Sequence, residues 1–576
     1  MRKFPLIVLA SCAILFSMPR CASIGTISGG DKDSIPPVLI SSTPQMYQTG
    51  FTDKEIKLTF DEYVVLKDPA KQFFISPPLK TKAFPMPKGK SVVIKLEDQL
   101  DAKTTYTVGF GNSVVDNNEG NPIQNLQLVF STGSKLDTLA VDGFLFDAHT
   151  LKVPEGVKVF IYKDKIDSLP YIANPNYYTY ADKNGYFRVP NVPAGEYKLV
   201  AVSDKNDNLR YDQNAEQVGY ISTPISARAK QPVDSVTKST SDGKLPILRM
   251  FTEDPINLTL LDATRPKSDL VKLVFSKKNP ELPKLVFSTM EKDPFVIEHS
   301  RNNDTVLFWI TNANLIKSDT LKALLTYLYT GEKRVLEYKT KGLELAFESH
   351  KEQKDKNKEP KRLPGFNPTF IGVELGVVPT IGVDLTFPNP PTTTDPSRIT
   401  LSAKTEKDSL AQAFTIENTT LPRSLRLNVD WKENTKYFYT ILPGAFVSAS
   451  GIENDTIIGT INVALKENFG TIILKATGIE SPVILQFISD KGILFSELSL
   501  KSDANVILDY IPEGSYKLKI LFDENDNQHW DGGDLIKGIQ PEMVKYYRST
   551  DEKEIFVVKK NWENEIPLDL KKILNN

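Results

Sequence analysis

Cysteine is almost missing from this sequence: there are two in 576 residues, Cys12 and Cys21, both near the start. The chain beyond them holds no disulfide framework and no thiolate metal cluster, so its domains must be held together by burial alone. Histidine is nearly as scarce. His149, His299, His350 and His529 stand apart from one another, and none lies at a metal-ligand spacing. There is no excess of positive charge either; the net charge is -2, which leaves no basic field to attract nucleic acid. After the first twenty residues no run of apolar residues approaches the length of a membrane-spanning helix. A G-x-S-x-G elbow, a phosphate-binding glycine loop and a dinucleotide fingerprint are also lacking. Without a nucleophile beside an oriented base, a non-enzymatic protein is the expectation.

What is present is strand material. The chain carries 21 Tyr and 30 Phe, and its 38 Pro are spread throughout, as expected where short strands alternate with turns. Its length calls for roughly four domains at about 150 residues each. Segments such as EIKLTF (55–60), SVVIKL (91–96), TYTVGF (105–110) and LQLVFST (126–132) alternate apolar with polar residues between Pro, Gly, Asn and Asp. That period of two predicts small antiparallel sandwiches.

The first 21 residues have a basic start (Arg2, Lys3), an apolar run from Phe4 to Met18 and then a cysteine. This is the layout of an export signal. A cysteine at the end of such a signal is commonly acylated, becoming the first residue of a bacterial lipoprotein. LASC at 9–12 fits a lipobox but leaves a very short apolar core. MPRC at 18–21 leaves a full core, with an unusual Arg20. Cys21 is favoured, because the polar segment after it makes a natural tether. The expected organisation therefore begins with a signal at 1–20 and a tether at 21–34.

Two units occur twice. VDLTF has Phe387 eight residues before Asp395, as IKLTF has Phe60 eight before Asp68; Leu96 and Leu427 each lie ten residues before a tyrosine, Tyr106 and Tyr437. VPAGEYKLVAVSD, ending at Asp204, is answered by IPEGSYKLKILFD, ending at Asp523. The predicted order is a sandwich at 35–134, a loop-bearing β-domain at 138–228, and a β-domain of unknown type at 246–347. A charged linker at 348–364, a second sandwich at 365–465 and a second loop-bearing domain at 466–576 follow. The linker segment HKEQKDKNKEPKR has six basic and three acidic residues, cannot pack, and is expected to be mobile. Duplication at this period suggests beads on a string.

The leader, the tether GTISGGDKDSIPPVLISSTP and the text IKLTFDEYVVLKDPAKQFFISPP resemble envelope lipoproteins of Bacteroidota-type bacteria that open with an S-layer-type bacterial Ig-like domain. The PAGEYKL unit resembles transthyretin-like or carboxypeptidase-regulatory-like modules. The resemblance implies an all-β multidomain string of Ig-like and transthyretin-like β-sandwiches, lipid-anchored in the outer membrane. No acidic residues directly follow Cys21, which favours the periplasmic face over the cell surface.

The loops after the duplicated strands are rich in oxygen. DENDNQHWDGGD offers Asp523, Asn525, Asn527, the carbonyl of His529, Asp531 and Asp534 at relative positions 1, 3, 5, 7, 9 and 12, the pattern that wraps calcium. DKNDNLRYD offers Asp204, Asn206, Asn208, the carbonyl of Arg210 and Asp212; position 12 is Ala215, with Glu216 one residue late. Neither loop has Gly at position 6, where Leu209 and Gln528 stand. The competing reading is a pair of Asn/Asp turns capped by their own side chains. Completion of position 12 favours the second loop for metal. Tyr177, Tyr178, Tyr180, Tyr186 and Trp530 are either adhesive loop aromatics or core residues. The reading that follows is a scaffold or binding lipoprotein with a protein partner in the outer membrane, possible calcium and a glycan as a further candidate ligand. The alternatives are an accessory subunit of an outer-membrane assembly or transport complex, and a glycan hydrolase or peptidase with an unrecognised site in 246–347.

Overall fold

The computed structural model describes residues 33–575 except 214, 235–237, 241–242, 288–293, 333, 348–364, 405–408 and 550. The signal at 1–20, Cys21, nearly all of the tether and the charged linker at 348–364 thus lie outside the described residues. Within them the protein is nearly all β. Its helices are single turns such as Ala313–Lys317, and none is long and apolar enough to cross a membrane.

The alternation in EIKLTF is realised directly: Ile56, Leu58 and Phe60 are buried while Glu55 and Lys57 face solvent. This strand joins Leu39–Thr43, Ser91–Lys95 and Pro85–Lys88 in a sheet. Its buried face shares one core with Tyr106, Val108, Leu128 and Phe130 of the sheet Phe74–Ser76, Thr105–Gly111, Leu126–Ser131. The second sandwich repeats the strand order, with Thr369–Ile371, Val383–Thr386, Ser424–Val429 and Phe414–Asn418 opposite Ile399–Lys404, Lys436–Ile441 and Ile457–Asn462. Its tyrosine is used identically. The Tyr106 hydroxyl accepts from the Asp101 N–H at 2.9 Å, and the Tyr437 hydroxyl from the Lys432 N–H at 3.0 Å.

The loop-bearing modules share a topology as well. In the first, Tyr177–Tyr180, Lys158–Tyr162, Glu196–Val202 and Val218–Tyr220 form one sheet, and Tyr186–Val192, Leu139–Asp147 and Ile247–Met250 form the other. In the second these become Leu494–Leu500, Val483–Ser489, Gly514–Phe522, Val544–Tyr546 and Ala504–Ile511, Gly470–Thr477, Glu563–Asp569. Each module closes with a strand parallel to its first strand. This corrects the expected start of the middle domain at 246. Ile247–Met250 belongs to the first module, where Leu248 and Met250 are fully buried. Its partner lies about a hundred residues upstream, so no local pattern assigns it. The middle domain is then built from Leu260–Lys267, Leu270–Phe275, Thr305–Ile310 and Phe295–His299 over Lys284–Phe287, Thr320–Thr330 and Leu336–Ala346. Trp309 is buried there and donates to Glu298 at 2.9 Å.

The expectation of beads on a string is overturned. Leu535 of the second module has no exposed surface and packs in one cluster with Phe160, Tyr211, Tyr220 and Phe251 of the first. The middle domain bonds to both later units: Arg301 donates to the Gln528 carbonyl at 2.5 Å, and Arg423 of the second sandwich pairs with Glu298 at 3.1 Å.

Candidate functional site

The two oxygen-rich loops have nearly superimposable bonding. In the first, both oxygens of Asp204 accept backbone N–H groups, from Asn208 and Leu209, each at 3.0 Å. In the second, Asp523 accepts from Asn527 at 3.0 Å and Gln528 at 2.7 Å. The side-chain amides of Asn206 and Asn208 reach Asp212 Oδ2 at 2.6 and 2.9 Å; those of Asn525 and Asn527 reach Asp531 Oδ2 at 2.5 and 2.6 Å. Leu209 and Gln528 at position 6 have φ of 58° and 59°, the left-handed conformation that glycine adopts most readily. The loops thus keep the backbone path without the glycine.

Asp534 stands apart from the other expected ligands. It caps a separate turn, accepting from the Lys537 N–H at 2.9 Å and pairing with Lys537 Nζ at 2.8 Å. A residue that the spacing did not indicate takes the closing place. Glu542 accepts from the Glu524 and Asp531 N–H groups, both at 2.9 Å, as Glu216 does from Lys205 at 2.7 Å and Asp212 at 3.0 Å. Glu216 lies 4 residues beyond Asp212, but Glu542 lies 11 beyond Asp531, because the second loop carries an extra segment. That insertion hid the correspondence.

The loops differ in charge. In the first, Lys158 Nζ is buried and bonds Asp204 at 2.7 Å and also Asp207, so an internal ammonium already meets the carboxylates. Lys158 sits opposite Val202, two residues before Asp204. The matching position in the second module, opposite Leu521, is Ile484. Among the described residues no ammonium enters there; Lys501 meets the exposed Asp526 on the outer side. Burial pushes the Glu542 carboxyl up to about 7, helped by the charges of Asp531 and Asp523 and opposed by its two N–H donors. Among the described residues no group of three or more His, Cys, Asp and Glu side chains is arranged to hold a metal ion, so any cation would have to draw on amide oxygens too.

The extra segment, 532–540, reaches the first module. The Leu535 N–H donates to buried Glu253, whose other oxygen accepts from Tyr171 at 2.9 Å and Tyr211 at 3.1 Å. Gln540 donates to the Tyr220 carbonyl at 3.1 Å. Beside it, the His149 ring packs on Trp530 at 4.9 Å, and Lys519 Nζ lies 3.3 Å from His149 Nε2. Burial lowers Lys519 to about 8, with Asp147 opposing, and burial followed by the Lys519 charge lowers His149. The aromatic cluster proves mostly internal. Tyr177 lies in the first module's core, Tyr178 packs on Phe74 of the first sandwich, Tyr180 and Tyr186 are half-buried, and Trp530 is part of the module junction. His299 is exposed on its strand, and His350 falls outside the described residues.

These features define a multidomain β-sandwich protein. Residues 33–132 match the family described as bacterial Ig-like domain, a match confined to the first sandwich. No curated protein matches the chain. Among solved structures, similarity extends to the N-terminal part of the bacterial S-layer protein SbsC at 15% identity, covering 34% of this chain and 44% of that one, with a TM-score of 0.13. A longer SbsC structure is matched at 12% identity over 90% of this chain and 67% of that one, TM-score 0.13. Immunoglobulin domains 1–4 of Sidekick-1 are matched at 9% identity over 75% and 95%, TM-score 0.16. At such TM-scores neither domain arrangement nor role carries over.

Proposed function

We propose that the protein is a non-enzymatic, lipid-anchored scaffold or binding protein of the outer membrane, held through Cys21 and facing the periplasm. The observation that carries the scaffold reading is the junction between the two modules, with Leu535 wholly buried and its N–H donating across it to Glu253, which Tyr171 and Tyr211 hold from its own side. Domains joined only by linkers move independently by default, whereas domains clamped through a buried apolar contact present their surfaces in fixed register. A tethered platform for a protein partner uses that property. The leader and its cysteine supply the address by sequence pattern.

The second loop is proposed to take calcium. Its carboxylates Asp523, Asp531 and Glu542 lack the ammonium that serves the first loop, and rotation of the Asn525 and Asn527 amides would turn their oxygens toward a cation. The His529 carbonyl is the remaining candidate, and Asp534 is left out of the set.

Membrane fractionation tests the anchor. Cys21→Ser should move the protein to the soluble fraction, and Cys12→Ser should leave it bound. Fatty-acid labelling that survives the first change and vanishes with the second would overturn the assignment. A stoichiometric β-barrel protein co-purifying from detergent would identify the platform as the accessory subunit of an assembly or transport complex.

A further inference from the structure

A cavity of ≈ 590 Å³ lies where the two modules and the middle domain meet. Its size falls within the range of ligand pockets, roughly 300–1,000 Å³. It is a built space, because its walls are bonded to one another: Arg301 to the Gln528 carbonyl, and the Asn302 amide to the His529 ring. Most of its polar groups are already committed. Asp147 accepts from Gln217 at 2.7 Å, and Glu497 from Gln486 at 2.8 Å.

Four exposed side chains lining the cavity have no side-chain hydrogen bond or ion pair among the described residues. They are Thr252 and Asp254 at the end of the first module, Lys278 of the middle domain and Gln528 of the second module. The set is balanced: one carboxylate, one ammonium, one amide and one hydroxyl, with no net charge. It offers donors and acceptors in similar number, so the complementary ligand is uncharged and rich in groups that both donate and accept. Hydroxyl groups do both. Trp530 and His149, both half-buried, add aromatic surface, on which the C–H face of a sugar ring can rest.

We propose that this cleft binds a short neutral oligosaccharide, with Asp254, Lys278 and Gln528 bonding its hydroxyls and the Trp530–His149 wall taking a ring face. A strongly charged ligand would leave Asp254 or Lys278 opposed by a like charge. The site exists only while the three domains are docked, so the proposal goes beyond the scaffold reading without replacing it.

Titration calorimetry on the full chain tests this with neutral trisaccharides of glucose, galactose, mannose and N-acetylglucosamine. Trigalacturonic acid, trilysine and trialanine serve as comparison probes. At least one neutral trisaccharide should bind saturably with a dissociation constant of about 1 mM or tighter. Asp254→Asn with Lys278→Met should weaken that binding by about tenfold while leaving the melting temperature unchanged, since both side chains are exposed and unpaired. Failure of all four neutral sugars would overturn the proposal. So would tighter binding of any comparison probe, or full binding by the double variant. None of these results bears on membrane attachment, which Cys21→Ser reads separately.

Discussion

Lys158 and Ile484 hold the same register position in two copies of one module, and on the proposed calcium reading that difference of side chain separates the loop that takes a cation from the one that does not. Titration with calcium should therefore find one site per chain. Ile484→Lys should remove it by placing an ammonium where the ion would sit, while Asp534→Ala should leave it intact. Binding to the folded state alone stabilises by mass action, about 2.7 kcal/mol at roughly a hundredfold excess over the dissociation constant, so the melting shift is a second readout. Two sites, or unchanged binding in Ile484→Lys, would count against the assignment. The Asp and Asn residues of both loops were legible from spacing. Lys158 was not, because it lies 46 residues before Asp204 and meets it only through strand pairing. At the junction, His149 has a pKa lowered from 6.5, so the docked state resists protonation that the free state accepts. Stability from this contact is present above pH 6.5 and is lost as pH falls toward the lowered value. Lys519, lowered from 10.5 to about 8, acts with the same sign at higher pH. Acid should loosen the junction, and His149→Gln, which keeps an acceptor without the titration, should flatten that dependence between pH 7 and 5. An identical pH profile in the variant would remove His149 from the account.

At the scale of elements, the segment 532–540 is present in one loop and has no counterpart in the other. Its Gly533 could not carry a side chain, since a Cβ would fall 2.6 Å from the Phe251 ring and 2.5 Å from the Ile539 carbonyl. Truncating the fully buried Leu535 to Ala should cost about 2–4 kcal/mol of docking free energy, read as earlier separation of the modules in urea. An unchanged midpoint would mean that the contact is dispensable. The parallel closing strands make a parallel prediction. A fragment ending at 228 should fail to fold, and one ending at 251 should fold cooperatively, by circular dichroism. Most antiparallel strands were readable from alternation such as that in EIKLTF. Ile247–Met250 and Glu563–Asp569 gained their place only through partners far away in sequence, which periodicity cannot supply. The type of each domain was legible where its text was repeated, and its edges were not.

For the whole molecule, duplication gave two sandwiches and two modules, and one insertion joined the modules to each other. The aromatic residues that sequence left open between adhesion and core serve mostly as packing within and between domains. What remains outward at the three-domain meeting point is polar and balanced in charge. The central claim is that the halves on either side of the charged linker are held by contact and not only by the chain. Placing a specific protease site within 350–362, cutting it, and passing the native protein over a sizing column tests this directly. The two pieces should elute together at the size of the uncut protein, and Leu535→Asp, which puts a charge into the junction, should make them separate. Two pieces that elute apart after cleavage of the unmutated chain would contradict it.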